Sequence, residues 1–228
     1  MTPVELCVHN NADLYDAIFR AHSLTWTRDD RLWVTRDEPP PYYSNLLLLD
    51  PDGAHELLTV MHELRDTTAR TIFCKDGYRA IVGERHSLQL LFSATWIVHH
   101  PGKGVERAPW HIVRTPGQLC AWEGAWALPS PPETRVFPAS VLNDPALIFF
   151  GQEAGDRYLA GCLVNMSDGC VGLSNVFGNS YADALLCALS LAEGRPVVGY
   201  ELGESLTAAK SAGFKAVGSL NVWTLPAA

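Results

Sequence analysis

Long apolar runs, a surplus of basic residues and paired cysteines are all missing from this sequence, and each absence removes a class of function. No apolar run approaches the ~20 residues that carry a helix across a bilayer. The start, "MTPVELCVHNN", has neither the basic residues nor the apolar stretch of a signal peptide, so cytoplasm is the expected location and no membrane partner is expected. Against 25 Asp and Glu there are only 17 Lys and Arg, a formal net charge of -8, which leaves no basic footprint for a nucleic-acid backbone. The six cysteines (Cys7, Cys74, Cys120, Cys162, Cys170, Cys187) contain no Cys-x-x-Cys pair, and several sit in apolar runs; they read as reduced thiols. There is no P-loop and no Gly-x-Gly-x-x-Gly, and "GLSNV" is not the Gly-x-Ser-x-Gly of a hydrolase. His55 and His62 would stand about 10 Å apart along one helix at ~1.5 Å per residue, too far to share an ion. No metal site is read.

What is present is ample core. Of 228 residues, 47% are hydrophobic and 18% charged. Proline marks three breaks: "RDEPPPYYSN" at 36–45, "HHPGKGVERAPW" at 99–110, which reads as the linker between two halves, and "LPSPPETRVFP" at 128–138, which cannot be regular helix. The second half reads as a strand in "WHIVRT", a helix in "PGQLCAWEGAWAL" with Trp122 and Trp126 on one face, and three strands from Ala146 to Phe177 joined by Gly-Asp and Ser-Asp-Gly turns. The helix "YADALLCALSLAEG", a strand in "RPVVGYEL", the helix "ESLTAAKSAG" and a last strand in "FKAVGSLNVWTL" follow. Gly213 is the helix stop.

The first half carries a rougher copy: strand "SNLLLLD", helix "AHELLTVMHELR", and strands in "ARTIFCKD" and "SLQLLFSATWIV". Ser44-Asn45 would then correspond to Ser174-Asn175, and Trp96 to Trp223. Residues 10–33, ahead of this block, read as helical. Strand–helix–strand patterns also recur by chance, so duplication and coincidence both stay open.

This element order resembles the GNAT superfamily of acyl-CoA-dependent N-acyltransferases. The best local likeness is "YELGESLTAAKSAGFKAVGSLNVW", Tyr200 to Trp223, which is similar to that superfamily's fifth strand, fourth helix and Gly-Phe turn into the sixth strand. The likeness runs from about Trp110 to the end. It implies a mixed α/β fold with a mostly antiparallel sheet flanked by helices, a truncated sibling unit over residues 1–105, and an acyltransferase-like unit over 106–228. The fourth strand of such proteins leads into a Gln/Arg-x-x-Gly-x-Gly/Ala loop whose backbone N–H groups, with a helix N-terminus behind them, hold the CoA diphosphate. Laid on that pattern, the cofactor-contacting residues would be Asn175, Val176, Phe177, Gly178, Asn179, Ser180 and Tyr181, acting largely through backbone. Only the central glycine is kept. A plain strand-to-helix corner, with Gly178 at positive φ and Asn179 or Ser180 as the cap, accounts for the same residues.

Chemistry is less legible. Many superfamily enzymes protonate the departing thiolate with a tyrosine four residues before the Gly-Phe turn, and Ala209 stands there. No catalytic residue is named: Glu201, Glu153 and Asp156 are weighed as general bases, and each reads more simply as a solvated carboxylate. The resemblance implies transfer of an acetyl group from acetyl-CoA, as co-substrate, to a small-molecule amine by direct attack. The alternative is a catalytically inactive relative serving as a CoA-ligand sensor or protein-interaction module.

Overall fold

A capping box starts the chain. The Thr2 hydroxyl accepts the N–H of Glu5, the Glu5 carboxylate accepts the N–H of Thr2, and Pro3 takes the first helical position of α1 (Pro3–Ala21). The computed structural model describes residues 1–100, 108–127, 132–178 and 180–227. The helix expected over residues 10–33 thus begins earlier and stops at Ala21. Ser23 turns left-handed (φ 59), and the Asp29 carboxylate accepts the N–H groups of Arg31 and Leu32, which folds the following residues into a hairpin, β1 (Thr27–Arg28) and β2 (Leu32–Val34).

The remaining elements are β3 (Leu46–Leu48), α2 (Ala54–Thr68), β4 (Ile72–Asp76), β5 (Gln89–His99), β6 (His111–Ile112), α3 (Pro116–Trp126), β7 (Leu147–Ala154), β8 (Arg157–Met166), β9 (Val171–Phe177), α4 (Tyr181–Ala192), β10 (Val197–Glu201), α5 (Gly203–Ser211) and β11 (Lys215–Leu225). Gly213, at φ 102, ends the run of α5 and lets Phe214 pack back, as its sequence position suggested.

The eleven strands of the described residues form one sheet in the order β1-β2-β3-β4-β11-β5-β10-β9-β8-β7-β6. Two adjacent pairs are parallel, β3 with β4 across α2 and β9 with β10 across α4; the other described pairs are antiparallel. The last strand of each half is inserted toward the other half: β11 pairs with β4 and β5, and β5 pairs with β10. The strands of residues 1–105 and 106–228 are therefore interleaved. The β–α–β layout recurs, but the suggested residue correspondences do not follow it. Ser44-Asn45 precede β3, whereas Ser174-Asn175 lie within β9, past the part that pairs with β10. Trp96 packs with Tyr200 on the α1 face, while Trp223 packs beneath α2 on the opposite face.

Helices α1 and α3 cover one face of the sheet and α2, α4 and α5 the other. Trp122 is fully buried against Phe137, Phe149 and Phe177 and stacks on Trp126, a core role for that pair. Of the six free cysteines only Cys120 is exposed.

Candidate functional site

The sheet comes apart at one place. Pairing between β9 and β10 covers only Val171↔Val197 and Gly172↔Val198, although β9 continues to Phe177 and β10 to Glu201. Two features of β9 turn it away. The register against β8 shifts between Gly161↔Phe177 and Leu163↔Ser174, so Asn175 and Val176 on β9 oppose the single Cys162 on β8, and Asn175 in that bulge is left-handed (φ 52). The Leu173 carbonyl still lies close against Gly199, and beyond it Ser174–Val176 and Tyr200–Leu202 line a cavity instead of pairing.

At the end of β9 the chain makes its corner at Gly178 (φ 80). A Cβ there would stand 2.5 Å from the carbonyl oxygen of Leu159 and 2.6 Å from Ala160, so the residue must be glycine for space as well as conformation. Ser180 is the N-cap residue of α4, yet it makes no side-chain cap bond to the helix amides; its hydroxyl donates to the Asp183 carboxylate instead. The first intrahelical bond runs from the N–H of Ala184 to the carbonyl of Ser180. The first-turn amides are thus uncapped by Ser180, and Gly178 and Ala182 are exposed beside them. The turn carries no Arg or Lys, and the Asp183 carboxylate in the first turn opposes an anion there, so backbone amides are the only groups of the turn that favour one. Asn179 lies outside the described residues.

Tyr181, the first residue of α4, turns inward. It packs edge-on against Phe214, and its hydroxyl donates to Glu201 Oε1 at 3.0 Å, bridging the start of α4 to the end of β10. Glu201 is not the solvated carboxylate expected of it. Burial pushes its carboxyl up to about 7, and the Tyr181 hydroxyl bond offsets only part of that. The same burial, with the neighbouring carboxylate, holds the Tyr181 phenol neutral. The alternation of β10 carries the missed signal: Val197 and Glu201 share the α4 face, while Val198 and Tyr200 point to α1. Glu153 and Asp156 do sit exposed at the β7–β8 turn, as expected. Ala209 is fully buried in the cluster that contains Tyr181 and Phe214.

A cavity of about 860 Å³ opens between α1, the loop 38–45 and the α1 face of the sheet, and reaches Ser174, Asn175 and Glu201 at the gap. Tyr15, Tyr43, Trp96 and Tyr200 supply aromatic wall. Ser174 Oγ is buried there without a partner among the described residues. Lys75, from β4, enters the same space with its Nζ donating to Asn11 Oδ1 at 2.9 Å and Tyr200 Oη at 3.4 Å. The sequence reading of "ARTIFCKD" as a strand did not single it out. Desolvation brings its ammonium down to about 7.

No protein-family model and no curated protein matches the sequence. Solved structures do match the fold. A GCN5-related N-acetyltransferase from Kribbella flavida aligns with a TM-score of 0.62 and 11% identity, over 97% of this chain and 96% of its own. A GNAT-family acetyltransferase from Novosphingobium aromaticivorans aligns at 0.60 and 13%, over 100% of each chain. A GCN5-related N-acetyltransferase from Sphaerobacter thermophilus aligns at 0.53 and 11%, over 79% of this chain and 72% of its own. The chain therefore has the fold of the GCN5-related N-acetyltransferases, as the sequence resemblance implied. At these identities the likeness concerns the fold.

Proposed function

We propose that this protein is an acyl-CoA-dependent N-acyltransferase that moves an acetyl group from acetyl-CoA to a small amine. The observation that carries the reading is the gap: two neighbouring parallel strands stop pairing after two residues each, with a helix N-terminus that Ser180 does not cap on one side and a cavity on the other. Acyl-CoA supplies an activated thioester when bound; the rest falls to this chain. Backbone N–H groups of Gly178 and the first turn of α4 hold the diphosphate, and the unpaired edges of Leu173–Phe177 and Gly199–Glu201 accept the amide-bearing arm as a strand would. The amine arrives as an ammonium from the cavity. Glu201, poised near neutrality, takes its first proton, and the free amine attacks the thioester carbonyl. As the C–S bond breaks, the Tyr181 hydroxyl gives a proton to the departing sulfur and is refilled from Glu201, which then takes the second proton from the new amide nitrogen and releases it to solvent. That pair does what a tyrosine at Ala209 does in the enzymes the sequence resembles.

A thermal-shift titration with acetyl-CoA and desulfo-CoA, paired with thiol release on a panel of amines, tests the reading. A ligand at 100 times its dissociation constant adds ~2.7 kcal/mol, a rise of several degrees in melting temperature. Such a rise with amine-dependent thiol release supports the transferase. No rise with either ligand ends it, and a rise without release on any amine leaves a CoA-binding sensor.

A further inference from the structure

We infer that the cavity on the α1 face is an acceptor site for amines that also carry a carboxylate, with Lys75 as the anchor of that carboxylate. The inference builds on the transferase reading for the word acceptor, but its argument is local. Lys75 is 5% exposed, and its three-donor ammonium has two neutral acceptors, Asn11 and Tyr200. It also lies 5.0 Å from the ring centroid of Tyr15 and 4.6 Å from that of Tyr200. No carboxylate among the described residues pairs with it.

The other titratable groups around the cavity do not supply the missing charge. Asp76, next on β4, alternates to the other face, where it accepts the N–H groups of Tyr78, Ala80 and Ile81. Glu38 and Arg70, at the loop end, pair with each other at 3.8 Å. Glu201 is engaged by Tyr181 at the gap. From α1 the facing groups are Cys7 and Tyr15, and from the loop and β10 they are Tyr43 and Tyr200, all kept neutral by burial. A buried cation without a counter-ion is costly: Lys75 either gives up its proton, toward which burial already pushes it, or keeps it with an anionic ligand that completes the pair.

The walls then define the rest of the ligand. Aromatic rings of Tyr15, Tyr43 and Trp96 suit an apolar or aromatic body, and Ser174 offers an unused hydroxyl. With the cation on the α1 face, a zwitterion sets its carboxylate on Lys75 and turns its amine toward the gap, at whose edge Glu201 lies. An apolar α-amino acid has that chemistry.

The test compares L-phenylalanine, L-leucine and L-tryptophan with their carboxamides by calorimetry and thermal melting, with and without CoA, in the wild type and in Lys75→Met. The expected result is at least one acid binding roughly tenfold to a hundredfold tighter than its amide, the range of a charged hydrogen bond, and loss of that preference in Lys75→Met. The acid–amide comparison in the wild type stands even where the variant fails to fold. Equal affinity for acids and amides, binding by none of the acids, or an unchanged preference in Lys75→Met overturns the inference. So does an acetyl adduct on Lys75 by intact mass after acetyl-CoA treatment, which would make the amine a nucleophile. If acids bind through Lys75 and no thiol is released, the transferase reading fails and the anchor stands. If amines lacking a carboxylate are acetylated equally well, the anchor fails and the transferase stands.

Discussion

The two β–α–β units of this sheet share a layout and differ at one joint. In the first, every residue of β3 pairs with β4, and a short 3-10 turn (Pro51–Gly53) leads into α2: the Asp50 carboxylate caps that turn by accepting the N–H of Asp52, the α2 N-cap Gly53 adds no side-chain bond, and no residue of 49–54 needs a positive φ. In the second, β9 carries a bulge, pairs with β10 at two positions only, and enters α4 through a glycine corner and an N-cap whose hydroxyl goes to Asp183. The comparison teaches that a parallel β–α–β unit stays open when one strand bulges away from its partner and enters its helix through a glycine corner. The helix itself is common to both.

Breaking the open joint chemically should have the largest effect. Glu201→Gln should lower turnover on any accepted amine by about 10²–10⁴-fold while acetyl-CoA affinity stays within a few-fold. Wild-type kcat should rise as pH increases through about 7, where this carboxyl ionises, and the variant should lose that limb. A loss below tenfold would remove Glu201 from the chemistry. Next comes Lys75→Met, which joins the closed unit's β4 to the open unit's cavity. The folded ammonium titrates near 7 and the unfolded one near 10.5, so the unfolded state holds the proton more readily and the penalty is complete below pH 7. The variant should be more stable by a few kcal/mol at pH 6, at ~1.4 kcal/mol for each tenfold difference in proton affinity between the two states, and the gain should fade between pH 7 and 10.5. Denaturant melts at three pH values check this; a variant less stable at pH 6 would contradict it.

Glycine at the two joints separates them further. Gly178→Ala meets the Leu159 carbonyl at positive φ and should cost about 1–3 kcal/mol or more, so this site reports on folding before it reports on binding. Gly53→Ala, at φ -79 with its nearest contact at 3.0 Å, should stay within ~1 kcal/mol of wild type. The smallest pair concerns the caps. Asp50→Ala should cost ~1 kcal/mol, and Ser180→Ala next to nothing, since its hydroxyl satisfies no helix amide. Equal losses would mean that the α4 start is capped after all.

Much of the layout is legible locally. Turn residues place β7, β8 and β9, the apolar helix α4 lies where its composition puts it, and Gly213-Phe214 marks the end of α5. What stays hidden depends on distant partners. Nothing in "FKAVGSLNVWTL" says that β11 will lie between β4 and β5, and nothing in "ARTIFCKD" says that the α1 face above Lys75 is hollow. The hairpin of β1 and β2 escapes a periodicity reading because Asp29 makes it with a side chain inside an otherwise helical-looking stretch. Glu201 departs from its expectation because a carboxylate at a strand end is ordinarily solvated, whereas its alternation with Val197 places this one under α4.

Amide hydrogen exchange with and without acetyl-CoA tests the open joint most directly. Binding in the gap predicts slowed exchange at Gly178, in the first turn of α4 and along 173–177 and 199–201, with residues 46–54 of the closed unit unchanged. Exchange that stays the same at the start of α4, or slows equally in both units, would contradict the account.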